Sequence, residues 1–148
     1  MKKSKIAKII EILFKIILIV GIICIPFIPT LYDLLKIFKN FSEQTIFYKI
    51  LFYICYIICL GIVFTLNYVF KDIYNNSPFN KKIEKSLKVV AILFMSLSLV
   101  VLIKTIYMPT ILSIGIIIVT FITSLCFYTL SQIFKVANEY KDEIDHTV

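Results

Sequence analysis

The chain of 148 residues contains no arginine, no tryptophan, one histidine and three glycines. Three scattered glycines leave no Gly-rich phosphate loop. The single histidine, His146, lies near the carboxyl end, so a histidine-based triad or metal site has nothing else to be built from. No nucleophile stands beside a visible base, and no His, Cys and carboxylate cluster falls at metal spacing. We therefore expect neither an enzyme nor a bound cofactor or metal. Charge is scarce as well, at 17% of residues, which is too little to cover the surface of a water-soluble domain of this length.

What fills the chain instead is apolar. Hydrophobic residues make up 60% of it and the mean hydropathy is +0.96. The charged residues cluster at a few places, leaving runs near or above the ~18 residues needed to cross a bilayer. The net charge of +7 comes entirely from lysine. These lysines bracket hydrophobic segments rather than lining a soluble face, so they point to anionic lipid and not to direct nucleic acid binding. The wealth of Ile, Lys and Asn without Arg suits an AT-rich bacterial genome.

The four cysteines, Cys24, Cys55, Cys59 and Cys126, all sit in apolar segments, where a secreted disulfide framework does not form. Cys55 and Cys59 share a helix face and offer two thiols to a metal, but no His or carboxylate accompanies them. Buried packing thiols are the expected role.

The sequence predicts an all-α fold: a single integral membrane four-helix bundle over residues 1–148, with spans at about 9–28, 46–70, 89–107 and 111–134. The basic amino end lacks a small-x-small cleavage site, so the first span is expected to stay uncleaved. Within it Glu11 and Lys15 fall one turn apart in the favourable order. Two readings stand, an ion pair with Lys15 snorkelling to the interface, or a proton or cation site at Glu11. Pro26 and Pro29 end this helix. Thr30 and Asp33 then resemble a capping box opening a short amphipathic helix to about Phe41, expected on the outer leaflet. Ser42 and Glu43 resemble a cap for the second span, whose aromatic residues gather at both ends. Asn67 is expected to hydrogen-bond between helices, with a substrate ligand as the alternative.

Ser77 and Pro78 form a helix-start signal in the polar loop 71–88. From there Phe79, Ile83, Leu87 and Val90 form one stripe, with Lys81, Lys82, Lys85 and Lys88 on the other sides. This predicts a basic amphipathic helix on the inner leaflet that bends or runs directly into the third span. Lys104 near the outer end of that span is expected to snorkel. Only Met108, Pro109 and Thr110 separate spans three and four, which makes them an antiparallel hairpin. In the fourth span Ser113, Thr120, Ser124 and Ser131 form a seam suited to close helix packing, or a pore-lining stripe. The tail 135–148 continues as a helix, with Ile133, Ala137, Tyr140 and Ile144 on one stripe.

The lysines also set an orientation. Twelve belong to the amino end, the central loop and the tail, against Lys36, Lys39, Lys49 and Lys104 on the opposite side. The bias puts both termini and the loop in the cytoplasm of a bacterial plasma membrane. Topology and contact with the anionic inner leaflet alone account for the loop lysines, each contributing about 1 kcal/mol near the surface. A sharper reading uses the charge difference. The loop has five Lys against Asp72 and Glu84; the tail has Glu139, Asp142, Glu143 and Asp145 against Lys135 and Lys141. Loop and tail are then expected to dock, making a platform for a cytoplasmic partner through Ser77, Pro78, Phe79, Lys81, Lys82, Lys85 and the tail acids. The alternative is a small oligomeric transporter or ion pathway reaching Glu11, Lys15, Asn67 or Lys104; a homo-oligomer is compatible with either.

Ser77-Pro78-Phe79 before a basic helix, then Leu130-Ser131-Gln132-Ile133-Phe134-Lys135 leading into Glu143-Ile144-Asp145-His146-Thr147-Val148, resembles the bacterial membrane family called domain of unknown function 2975. The four-span plan over nearly the whole chain agrees with it. Ile144 and His146 depart from the Asn and Leu that the family more often carries there. The resemblance implies no catalytic activity. It implies a small helix-turn-helix regulator as a partner that this protein restrains or senses for, and hence a regulatory, sensing or immunity role.

Overall fold

A computed structural model describes residues 5–37, 45–75 and 81–147. It is all helical: α1 (Lys5–Cys24), a single 3-10 turn (Ile25–Phe27), α2 (Ile28–Ile37), α3 (Thr45–Asn75), α4 (Lys81–Tyr107) and α5 (Ile111–Thr147). Four segments are long and apolar enough to cross a membrane: Lys8–Leu31, Ile46–Asp72, Lys81–Tyr107 and Ile111–His146. The expected cap at Ser42 and Glu43 and the start signal at Ser77, Pro78 and Phe79 lie outside the described residues, as do Lys2, Lys3, Lys39 and Val148.

The prolines work one turn earlier than the capping-box pattern suggests. Pro26 enters the 3-10 turn at its first positions, and Pro29 falls in the first turn of α2, where a missing N–H is harmless. The helix therefore opens at Ile28, and Thr30 lies inside it rather than capping it. The cap that does form is elsewhere. Ser113 donates its backbone N–H to Thr110 Oγ1 and Thr110 donates its own to Ser113 Oγ, both at 3.3 Å. These two reciprocal bonds start α5 straight after the short connection.

The spans form a row in which each packs on its neighbour in sequence, most extensively α4 with α5, then α3 with α4, then α1 with α3. Aromatic contacts tie the ends. Phe14 stacks on Phe70 with ring centroids 5.3 Å apart, and Phe47 meets Tyr107 edge-on at 5.3 Å. The starts of α1 and α4 thus share one end with the finishes of α3 and α5. That end also carries Lys8, Lys15, Lys71, the four lysines that open α4, Lys135 and Lys141, and is called the lysine-rich end below. α1 meets α3 closely at Gly21, where Tyr56 donates its hydroxyl to the Gly21 carbonyl at 2.7 Å. A Cβ added at Gly21 would run into the Leu60 side chain.

Three helices run further than the span limits suggest. α4 passes without a break from the basic segment into the third span. Its stripe Ile83, Leu87 and Val90 is buried, with Ile83 and Leu87 packed against Val69 of α3 and Phe127 and Phe134 of α5. This stripe is a protein core rather than a lipid-facing surface, because α3 and α5 extend beyond the spans far enough to cover it.

Candidate functional site

The contact between α4 and α5 accounts for the small hydroxyl residues. Ser113, Thr120, Ser124 and Ser131 are all buried, as are Ser98 and Asn138. Ser124 Oγ donates to the Ala91 carbonyl at 2.7 Å, Ser131 Oγ to the Glu84 carbonyl at 3.1 Å, and Ser98 Oγ to the Ile117 carbonyl at 3.5 Å. Positions 84, 91 and 98 of α4 thus oppose 131, 124 and 117 of α5. Equal steps of seven in opposite directions describe an antiparallel pair held in a single register. Each bond crosses between helices to a backbone oxygen, which requires the close approach that small side chains permit. The seam faces a neighbouring helix at every rung. A pore would need it to face water.

Asn138 continues the same step one further turn pair along, beyond the last apolar run of α5. Its residue is 5% exposed. Its Nδ2 reaches Glu84 Oε2 at 3.5 Å, while its Oδ1 is buried without a hydrogen-bond partner among the described residues. With Ser131 and the Val69–Ile83–Leu87 core, this joins the start of α4 to the α5 extension at the lysine-rich end. Asn138–Glu84 is a contact between the start of α4 and the tail, while Ser131, Phe127 and Phe134 belong to the fourth span. Lys81, Lys82, Lys85 and Lys88 project outward, and Glu139, Asp142, Glu143 and Asp145 are exposed on α5. The surface formed there is mixed in sign, basic along α4 and acidic along α5. Asn138 escaped the sequence reading, although its spacing of seven from Ser131 continues the very seam that was legible.

The other singled-out residues do not converge. Glu11 and Lys15 pair at 2.9 Å along α1, with the Lys15 side chain half exposed, which is the ion pair expected. Asn67 on α3 has a buried Oδ1 without a hydrogen-bond partner among the described residues. Lys104 lies half-buried in the last turn of α4. A second ion pair, which the sequence did not announce, links Lys49 of α3 to Asp33 of α2 at 3.1 Å. It fastens the short helix at the end opposite the lysine-rich one.

Among the described residues no group of three or more His, Cys, Asp or Glu is placed to hold a metal. Cys55 and Cys59 lie on α3 as free thiols. Comparisons of the chain with protein-family models, with curated proteins and with solved structures find no match.

Proposed function

We propose that this chain is a small non-enzymatic membrane protein that presents a helical platform to a soluble cytoplasmic partner, in a regulatory, sensing or immunity role. The observation that carries the reading is the union of the α4 start with the α5 extension through Ser131, Asn138 and Glu84. Helices that serve only to cross lipid need no such joined projection at one end. A rigid, doubly charged surface there suits recognition by a soluble protein, with electrostatics guiding the encounter.

The lysine bias supports placing this end in the cytoplasm of a bacterial cell, both termini included, with α2 on the outer leaflet. Lys81, Lys85 and Lys88 then stand at headgroup height and contact anionic lipid as well. The short motifs shared with the 2975 family favour a small DNA-binding regulator as the partner, held by protein contact and not through nucleic acid. A transport pathway draws less support, because the polar stripe it would use is spent on the α4–α5 contact.

Copurification of the full chain from native membranes, read by mass spectrometry, tests the proposal. A soluble partner is expected with the natural chain and is lost when Lys81, Lys82 and Lys85 are replaced by Ser. Recovery of no soluble partner with either chain overturns it.

A further inference from the structure

The row of helices leaves α5 at its edge, with one face turned toward α4 and the opposite face open. The open face has its own regular spacing. Ile122, Cys126, Thr129, Ile133, Val136 and Tyr140 follow one another in alternating steps of four and three, and all six are exposed. An alternation of this kind keeps a stripe on one side of a helix, drifting by only about 20° per heptad, and suits two helices that wind gently around each other.

In hydrocarbon such a stripe asks for no cover. Beyond residue 134 the surroundings change, because Lys135, Glu139, Lys141, Asp142 and Glu143 mark a polar phase. There Val136 remains 49% exposed and Tyr140 63%. Apolar area left in water is unfavourable, and a continuous exposed apolar line on an otherwise charged helix marks an interaction surface. Whatever covers it must run alongside α5 from inside the lipid out into water.

A second copy of α5 runs that way and carries a stripe of the same spacing. Two copies in one membrane are inserted the same way round, so their α5 helices are parallel. A twofold axis along the membrane normal then lays each stripe on its own image. The flanks fit as well. At 100° per residue, Glu139 and Glu143 border one side of the stripe and Lys141 the other. Parallel twofold pairing sets the acidic border of one copy against the Lys141 border of its partner.

We infer that the open face of α5 is a self-association surface, through which two copies pair in parallel along a seam from Ile122 to Tyr140. This rests on the membrane-spanning character of α5 and not on the soluble partner proposed above, so either reading can fail alone.

Cysteine scanning of the full chain in native membranes tests it. Cys24, Cys55, Cys59 and Cys126 are first replaced by Ser. Single cysteines are then introduced as Ile133→Cys, Val136→Cys or Tyr140→Cys on the stripe, and as Lys135→Cys or Asp142→Cys on the side nearer α4. Oxidation with copper phenanthroline should yield several-fold more cross-linked dimer from the stripe positions than from the other two. Adding Val136→Lys to the Tyr140→Cys chain should abolish its dimer, and the exposure of both sites leaves the α4–α5 contact intact. Equal cross-linking at the two sets of positions, none on the stripe, or persistence of the Tyr140→Cys dimer with Val136→Lys overturns the inference.

Discussion

Ser124 on α5 donates its hydroxyl hydrogen to the backbone carbonyl of Ala91 on α4 at 2.7 Å. Both residues are buried, and their contact is the middle rung of the register shared by Glu84 with Ser131 and Ser98 with Ile117. Two consequences for stability follow from the distinction between the bond and the space it occupies. Ser124→Ala removes only the bond, about 0.6 kcal/mol on average for such pairs in membranes. Ser124→Leu forces the helices apart, and overpacking costs about 1–3 kcal/mol. Unfolding of the purified protein in mixed micelles should rank natural chain, Ser124→Ala and Ser124→Leu in falling order. A Ser124→Leu protein as stable as Ser124→Ala would contradict the close approach.

The least extensive contact between neighbouring spans is that of α1 with α3, where Gly21 meets Leu60 and Tyr56. Gly21→Ala should destabilise the α1 contact, because its new Cβ lands on the Leu60 side chain. Leu60→Ala should recover part of that loss in the double variant, although alone it leaves a gap. Tyr56→Phe deletes the bond to the Gly21 carbonyl and should cost about 1 kcal/mol. A double-mutant cycle on Gly21 and Leu60 with no coupling energy would show that the two do not touch.

At the lysine-rich end, Asn138 is buried with one amide oxygen unsatisfied. Replacement by Leu, close in volume, removes that burden at the expense of one long bond to Glu84. Asn138→Leu should therefore leave the thermal midpoint unchanged or raise it, whereas removal of a fully bonded buried amide would lower the unfolding free energy by about 1–3 kcal/mol and the midpoint with it. If the cytoplasmic platform recognises a partner by shape and charge on the outer faces, the same variant should keep the partner bound.

The Lys49–Asp33 pair is part exposed on both sides, so its contribution should be about 0.5 kcal/mol. Asp33→Lys should weaken attachment of α2 to α3, and combining it with Lys49→Asp should restore it. The coupling measured in this cycle should shrink between low and high salt, because exposed charges are screened. A coupling that ignores salt would mean that the pair is sequestered.

Much of this protein was legible before any coordinates. Glu11 and Lys15 pair as their spacing requires, because an i, i+4 contact is a property of one helix alone. The same holds for the tail, which continues α5 without interruption because no Gly or Pro intervenes after Gly115. Thr30 misled because local pattern cannot say which of two nearby starts the prolines favour. What Asn67 meets is a different matter. An interhelical bond depends on what the next helix places opposite, and nothing at that position of the sequence says so.

Apolar run length and the lysines that bound each run determined by themselves that four helices are long and apolar enough to cross a membrane, and the short Met108-Pro109-Thr110 connection determined that the last two are antiparallel. Hydropathy stops there, because lipid is as apolar as leucine and an exposed Ile92 scores the same as a buried Ile83. Only tertiary structure decided which stripe meets protein and which meets lipid. It buried Ile83, Leu87 and Val90 beneath α3 and α5, set α4 and α5 in one register through serine hydroxyls and backbone carbonyls, and left the far face of α5 open. Those choices rest on how closely two backbones approach, a quantity that exists only between helices.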